Sequence, residues 1–135
     1  MIEQFEIVAR AAGEASRLRM LKLLEGGELC VCQITAVLGL SPATVSKHLA
    51  LLRLAGLVGH RRDGRWIYYR LAERDLNPYA RPILKLVAGH LDDDPTVTRD
   101  RRRLAKVTRL PREALCGDSP APLASDLGSE ALVAG

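Results

Sequence analysis

The chain has 135 residues, of which 47% are hydrophobic, and its formal net charge at pH 7 is +4. That length suits one domain with an extension, and the apolar fraction is sufficient for a core. No stretch approaches the roughly 20 apolar residues that cross a membrane, and the acidic N-terminus differs from a signal peptide, so we expect a cytoplasmic protein. Three cysteines in a reducing compartment argue against a disulfide framework.

The first part of the chain is predicted to be helical, because apolar residues recur at the spacing of one helix face. Glycines interrupt this pattern where each predicted helix ends. Ser41-Pro42 is a strong helix start, because serine accepts hydrogen bonds from free backbone N–H groups and proline at the first position loses no bond. The predicted helices cover residues 2–12, 14–25, about 30–38 and about 42–55.

The next part of the chain is predicted to form a hairpin. Residues 57–62 and 66–71 read as two strands, and Asp63-Gly64 between them is one of the strongest hairpin-turn signals. Helical spacing then returns over 76–91. The sequence therefore predicts a mainly α fold with a β-hairpin.

Residues 92–135 are predicted to be a charged C-terminal extension of a domain that covers residues 1–91. The apolar stripe over about 96–108 is thin, so only a weak helix is predicted there. From Gly117 onward the chain is Ala, Ser, Pro and Gly without a pattern, and this tail is predicted to be disordered.

The excess positive charge lies in one segment of the chain. Residues 41–70 contain six basic residues and one acidic residue, whereas the segments on either side are nearly balanced. Such a segment is expected of a surface that contacts nucleic acid, although an ordinary solvated face has the same composition. The charge therefore supports a DNA-binding prediction only in combination with the predicted elements.

A short helix, a glycine turn, a second helix and a basic hairpin are the parts of a winged helix-turn-helix. The second helix of such a pair usually enters the major groove, and the hairpin arginines are placed to follow the backbone or enter the minor groove. Double-stranded DNA is therefore the predicted partner. The predicted contacts are Ser41, Ala43, Thr44, Ser46, Lys47 and His48 on the helix and Arg61, Arg62 and Arg65 on the hairpin.

Several of these residues also have a purely structural interpretation. Thr44 and Ser46 are ordinary residues for a helix surface, and His48 suits a histidine packed under the wing. Trp66 and Tyr68 are better explained by packing of the wing onto the helices than by stacking on bases. The combination of features, rather than any single residue, predicts DNA binding.

Cys30 and Cys32 lie one residue apart at the start of the helix predicted over 30–38. A thiolate is the ligand that soft ions prefer, so the pair indicates a site for a thiophilic ion beside the DNA-binding element. On a regular helix, residues two positions apart point about 200° apart, so chelation by both sulfurs is expected to distort or unwind the first turn. The alternative is that both cysteines are small buried hydrophobic residues.

Four segments carry a likeness to a known family: 28–32 with its Cys-Val-Cys, 41–49, 52–58 and the wing-like 62–69. Together they resemble the ArsR/SmtB family of metal-responsive repressors, and the resemblance covers about residues 2–91. It implies a homodimer that is built from the first and last helices of the domain. Such a protein holds its operator when it is ion-free and releases the DNA on binding the ion.

Within that family, Cys-Val-Cys at this place is similar to the branch that responds to As(III) or Sb(III). The resemblance implies that Cys30 and Cys32 are ligands and that no organic cofactor is needed. Where the family often has a third cysteine, this chain has Thr35. Cys116 either completes the site, within the subunit or across the dimer, at modest loop-closure cost, or it is a surface thiol and glutathione or water is the third ligand.

The other common sensor site of the family uses carboxylates and histidines on the last dimer helix. His90 and Asp93 match one half of that pattern, but Asn77 and Tyr79 occupy the partner positions. A zinc or cobalt site is therefore not predicted there. His90 suits a residue at a helix end that interacts with the C-terminal dipole.

The leading hypothesis is a DNA-binding repressor that senses trivalent arsenic or antimony and is not an enzyme. A second hypothesis keeps the DNA binding but makes the cysteines sensors of redox or persulfide state, or of another thiophilic ion. Because a Cys-X-Cys ring is strained, oxidative pairing with Cys116 would be easier. A thiol enzyme has little support, since the sequence contains no Cys-X-X-Cys motif.

Overall fold

A computed structural model describes residues 1–116 of the chain. Within that range the elements alternate between helices and three short strands. They are α1 (Ile2–Ala12), α2 (Ala15–Leu24), β1 (Leu29–Cys30), α3 (Val31–Leu38), α4 (Pro42–Leu54), β2 (Val58–Asp63), β3 (Trp66–Leu71), α5 (Ala80–Ala88), α6 (Pro95–Val107) and α7 (Arg112–Cys116).

The helix-turn-helix is formed by α3 and α4, and local chemistry defines the turn between them. Gly39 follows α3 with φ of 70°, a left-handed conformation that glycine adopts without steric cost. Ser41 then caps α4, because its Oγ accepts the backbone N–H of Thr44 at 3.2 Å. The turn is therefore fixed on both sides.

The core lies between the helices and under the sheet. Apolar residues of α3 and α4 are fully buried there, so the two helices are held together by packing as well as by the turn. These buried residues are Ile34, Val37, Leu38, Val45, Leu49 and Leu52.

The sheet has the strand order β1-β3-β2, and all pairs are antiparallel. The predicted hairpin is present, with Asp63 opposite Trp66 at its tip. The fold class predicted from the sequence, mainly α with a β-hairpin wing, is thus confirmed. The strand β1 was not predicted, and it pairs Cys30 with Tyr68 of β3.

The helix α5 is shorter than the predicted span of 76–91. Asn77 forms a local turn instead, because its Oδ1 accepts the backbone N–H of Tyr79 at 3.0 Å. At the other end, Leu91 has φ of 72° and lies outside the helix. Both ends of the apolar stripe therefore belong to turns.

The buried Lys22 of α2 fixes the C-terminal end of α5. Its Nζ donates to the carbonyl oxygens of Val87 at 3.0 Å and His90 at 2.8 Å, at and just beyond the last turn of the helix. Nζ also lies 3.0 Å from Oδ1 of Asp92, and the hydrogen bond from Lys22 holds the pKa of Asp92 below its usual value. The cation therefore links α2 to the segment that follows α5.

The helix α6 lies close to the weak helix predicted over about 96–108, and it packs against α2 and α3. A buried ion pair supplements its thin apolar stripe, since Asp100 accepts from Nε and Nη2 of Arg19 at 2.8 and 3.0 Å. A domain boundary at residue 91 stays a prediction. The predicted disordered tail from Gly117 lies outside the described residues.

The short helix α7 was not predicted, and it packs against α3, with Leu115 buried in the core. None of the helices within residues 1–116 is both long and apolar enough to cross a membrane.

Candidate DNA-binding surface and thiol site

The outer face of α4 is exposed at most of the positions predicted to contact DNA. Its opposite face is anchored by buried Val45 and Leu49. Ser41 donates its hydroxyl hydrogen to Oγ1 of Thr44 at 2.8 Å, so the cap also orders the start of the outer face. The exposed residues on this face are Ser41, Ala43, Thr44, Ser46 and Lys47.

His48 of α4 differs from these residues because only 17% of its side chain is exposed. Its Nδ1 lies 3.0 Å from Nη1 of Arg17 and 3.9 Å from Oε2 of Glu14. Arg17 also donates from Nε to the carbonyl oxygen of Ala11 at 2.7 Å. The histidine therefore packs against the corner between α1 and α2, and not under the wing as the structural alternative supposed.

Glu14 at this corner is an N-cap residue, and its Oε2 accepts the backbone N–H of Arg17 at 3.0 Å. Burial raises the pKa of this carboxyl, but hydrogen bonds from the backbone N–H groups of Arg17 and Ser16 lower it more, and the pKa lies below its ordinary value. The carboxylate beside His48 is therefore charged at neutral pH.

The wing presents Arg61, Arg62 and Arg65 as exposed residues. The guanidinium group of Arg65 lies 4.5 Å from the centre of the Trp66 ring, a distance typical of cation–π contacts. Tyr68 is 5% exposed, which agrees with the packing role predicted for it. Its hydroxyl accepts a hydrogen bond from Nη1 of Arg112 on α7.

Glu28 contributes to this surface, although sequence analysis did not predict a role for it. Its two carboxylate oxygens accept from Nε and Nη2 of Arg61 at 2.9 and 2.7 Å. These hydrogen bonds hold the pKa of Glu28 below its ordinary value. The two residues are 33 positions apart in sequence, so no local pattern indicates that they meet.

The two cysteines belong to different elements. Cys30 is the last residue of β1 and the N-cap of α3, with extended backbone at φ −72° and ψ 146°, and Cys32 lies in the first turn of α3. The expectation that both lie in one helical turn is wrong, because Cys30 precedes the helix. The angle of about 200° between such positions on a helix therefore does not apply, and chelation does not require unwinding on that ground.

The cysteines also differ in exposure and bonding. Cys30 is 1% exposed, and Cys32 is half-buried. The backbone N–H of Cys30 donates to Oε1 of Gln33 at 2.9 Å as one half of a capping box. Cys32 takes part in a disulfide bond, which departs from the expectation that the cysteines of this chain are reduced.

Thr35, at the position where the resemblance implied a third cysteine, forms a hydrogen bond within its own helix. Thr35 donates its hydroxyl hydrogen to the carbonyl oxygen of Val31 at 2.8 Å. The helix α7 ends at Cys116 and packs against α3, while the side chain of Cys116 lies outside the described part of the structure. Among the side chains that are described, no three His, Cys, Asp or Glu residues come together as a metal site.

His90 and Asp93 are both exposed. The ring Nδ1 of His90 lies 2.9 Å from the carbonyl oxygen of Leu86 in the last turn of α5. This contact agrees with the predicted role of His90 at the C-terminal end of a helix.

Apolar side chains remain exposed on α1 and beside α5, which contact each other. Phe5 packs edge-on against Tyr79, with ring centres 5.2 Å apart, yet it is 51% exposed, and Leu86 is 58% exposed. Contiguous apolar surface of this kind marks an interaction site in soluble proteins.

Comparison with known proteins identifies the family to which this chain belongs. Residues 15–59, which include α2, α3 and α4, match the family model described as bacterial regulatory protein, arsR family. The arsenical resistance operon repressor of Escherichia coli K12 is 35% identical over 119 residues, which cover 87% of this chain and 91% of the repressor. This chain belongs to the arsR family.

Two further relatives of this arsR-family chain differ in coverage. The arsenic resistance transcriptional regulator ArsR1 of Pseudomonas putida KT2440 is 48% identical over 66 residues, which span 48% of this chain and about half, 52%, of that regulator. The solution structure of a homodimeric winged helix-turn-helix DNA-binding domain, fragment 1–100 of Mb0332 from Mycobacterium bovis, is 33% identical. It matches with a TM-score of 0.56 over 65% of this chain and 78% of that one.

The family membership and the fold together confirm the prediction of a winged helix-turn-helix transcriptional regulator that binds DNA. The two relatives are named as a transcriptional regulator of arsenic resistance and an operon repressor of arsenical resistance.

Proposed function

We propose that this arsR-family protein is a metalloid-responsive transcriptional repressor of the cytoplasm. It binds operator DNA as a homodimer when it is ion-free, and it is released by As(III) or Sb(III). The observation that carries the proposal is the position of Cys30 and Cys32, which lie where the strand β1 of the wing sheet joins the helix α3. Arsenic resistance regulators among its relatives support a metalloid as the inducer.

The proposed DNA contacts come from α4 and the wing. The exposed face of α4 would enter the major groove, where short hydroxyl donors and Lys47 suit base edges and phosphates. His48 lies at the edge of this face, and its contact with Arg17 fixes the angle of α4 on α2. The proposed contacts on α4 are Ser41, Ala43, Thr44, Ser46, Lys47 and His48, and those on the wing are Arg61, Arg62 and Arg65.

A homodimer would cover the apolar surface of α1 and α5. Ile2 is 86% exposed and Phe5 is 51% exposed, and both lie beside a groove of about 480 Å³ that Tyr79 also lines. Burial of such residues favours association. A two-fold axis through this surface would present two copies of α4 to successive major grooves, roughly 34 to 36 Å apart.

The thiols fit a soft trivalent ion. Once the disulfide bond of Cys32 is reduced, Cys30 and Cys32 would supply two thiolate ligands at the N-terminal end of α3, where backbone N–H groups favour anionic ligands. Cys116 is the proposed third ligand, because α7, which ends at that residue, packs against α3. The ion, when bound, would join these thiolates through metalloid–sulfur bonds.

The proposed switch depends on the elements that carry the two sulfurs. Cys30 belongs to the wing sheet and Cys32 to the helix-turn-helix, so a change that shifts the two backbones relative to each other would also move the wing relative to α3 and α4. A ligand shifts such an equilibrium only by its differential affinity for the two states. Release of the DNA therefore requires two different conformations of the protein, one in which the sulfurs bind the ion and one in which the protein fits the operator.

A second candidate function is a repressor whose cysteines sense redox state. The disulfide bond of Cys32 favours it, since a sensor of this kind works by reversible pairing of thiols. Mass spectrometry after mild peroxide distinguishes the two. Redox sensing is supported if peroxide lowers the protein mass by two hydrogens and the oxidised protein releases the operator without metalloid. Metalloid sensing is supported if the oxidised protein still binds the operator fully.

The decisive experiment counts sulfur ligands and measures operator release on the same reduced protein. X-ray absorption with arsenite should find three sulfurs per ion in the wild type and two in Cys116→Ser. Cys32→Ser should bind operator normally but keep it when arsenite is added, whereas the wild type releases it. Equal release of the wild type and Cys32→Ser by arsenite would place the switch elsewhere, and an unchanged sulfur count in Cys116→Ser would remove that residue from the site.

A further inference from the structure

The wing and the thiol site share the two-residue strand β1. Cys30 pairs with Tyr68 on the central strand β3, and β3 carries β2 on its other edge. The backbone of the sensing residue is therefore part of the sheet that forms the wing. A displacement of Cys30 acts directly on that sheet.

Glu28 directly precedes this strand and holds Arg61 of β2 by a bidentate pair, with donor–acceptor distances of 2.9 and 2.7 Å. The remaining terminal nitrogen, Nη1, lies 4.0 Å from Oδ2 of Asp63. The guanidinium carbon also lies 4.5 Å from the centre of the Tyr68 ring. Two nitrogens of the guanidinium group are thus hydrogen-bonded to Glu28, and the third lies at ion-pair distance from Asp63.

While Glu28 holds the Nε–Nη2 edge of Arg61, a phosphate cannot use those two N–H groups, and the remaining Nη1 lies beside the second carboxylate, Asp63. The other two wing arginines are not held in this way. Within residues 1–116, Arg62 forms no ion pair, and Arg65 stacks on Trp66. Arg61 is therefore the wing cation whose DNA contact depends on another residue.

We propose that Glu28 competes with the DNA phosphate backbone for Arg61, and that it thereby transmits the position of the Cys30 strand to the wing. The inference rests on the proposed function, because it requires Arg61 to approach operator DNA. When Glu28 holds Arg61, the wing has one phosphate contact fewer, and when the strand moves away the contact forms. Glu28 is a positioning residue here, since it touches neither the DNA nor the ion.

A double-mutant cycle of Glu28→Gln and Arg61→Gln tests this competition through operator affinity at about 50 and about 200 mM salt, without metalloid. Glu28→Gln preserves the size of the side chain and removes its charge. We expect it to raise operator affinity, and the gain should shrink by roughly 12-fold between the two salt concentrations. The reason is that two added phosphate contacts, one for each protomer of the proposed homodimer, together contribute about 1.8 to the slope of log affinity against log salt.

The matched control is Asp63→Asn, which likewise removes one negative charge near Arg61, in this case from the wing itself. Its carboxylate lies 4.0 Å from Arg61 and does not hold it in a bidentate pair, so it should change the salt slope less than Glu28→Gln does. In the Arg61→Gln background, Glu28→Gln should leave the slope unchanged. An equal change of slope in both backgrounds would overturn the proposal, because it would reflect only the general field of the carboxylate.

Arsenite added to the same proteins tests the link to the Cys30 strand. The factor by which arsenite weakens operator binding should be smaller in Glu28→Gln than in the wild type, and equal factors would refute the link. If the wild type binds operator and the cycle shows coupling between Glu28 and Arg61, but arsenite has no effect, the result would count against the metalloid function alone. A wild type that does not bind operator would refute both proposals.

Discussion

The helix α4 and the wing, which we propose as the two DNA-contacting elements, present their polar groups in different ways. The helix caps itself through Ser41 and rests on buried Val45 and Leu49, and its exposed Lys47 forms no ion pair within the part of the chain that the structure describes. The wing, in contrast, already uses Arg61 in a pair with Glu28. In the proposed complex the helix would therefore be preformed for contact, whereas the wing would have to exchange partners.

This difference predicts that DNA affinity is adjusted through the wing and not through α4. A preformed surface avoids the cost of ordering side chains on binding, whereas an exposed pair that must be broken changes affinity by a small amount that depends on salt. Substitutions in α4 should therefore act mainly through stability and geometry. Substitutions in the wing should act mainly through charge.

The largest expected effect comes from removing the support of the helix α4. Leu49→Ala empties space around a fully buried side chain, and we expect a loss of about 2–5 kcal/mol in the free energy of unfolding. Chemical denaturation at fixed protein concentration measures it. Leu54→Ala is the control, since Leu54 is 74% exposed on the same helix, and its cost should stay within about 0.5 kcal/mol. Equal costs would mean that α4 is not held by its buried face.

A smaller effect is expected at the helix cap. Ser41→Ala removes the oxygen that accepts the backbone N–H of Thr44, and the free energy of unfolding should fall by about 1 kcal/mol. Ser46→Ala, within the same helix and exposed, should leave stability nearly unchanged. If the two substitutions cost the same, then the cap does not order the start of α4.

The smallest effect concerns the pH dependence of the wing. The pKa of Glu28 is lowered in the folded protein, so its contribution to stability is fully present above the unfolded value near 4.5 and is lost as the pH falls through the folded value. The stability difference between the wild type and Glu28→Gln should therefore be small and constant near neutral pH and should vanish in acid. Denaturation curves of both proteins from neutral to acid pH measure it. A difference that grows as the pH falls would contradict the assigned pair.

Elements that have a local cause could be predicted from the sequence, and contacts between distant residues could not. The Ser41-Pro42 start, the Gly39 turn and the Asp63-Gly64 hairpin each follow from the chemistry of adjacent residues, and all three are present. The strand β1 has only two residues, which is too short for any alternating pattern. Its existence depends on Tyr68, far along the chain.

The helix α6 shows a second limit of sequence patterns. The apolar residues alone underestimate the buried face of this helix, because Asp100 and Arg103 are both buried and charged. Asp100 is stabilised by Arg19 of α2. Pairing between charged residues on different helices leaves no periodic signal. Likewise the placement of Cys30 outside α3 followed from the pairing of β1 and not from any feature of the Cys-Val-Cys segment.

The pairing of Cys30 with Tyr68 also has a consequence for how the protein is made. It joins the ends of the segment 31–67, which holds α3, α4 and most of the hairpin, and such long-range pairs form late because loop closure must come first. Synthesis begins at the N-terminus. A nascent chain that stops before residue 68 therefore carries both cysteines of the motif without the strand that positions the first of them, and the proposed metalloid sensing would begin only when the wing is complete.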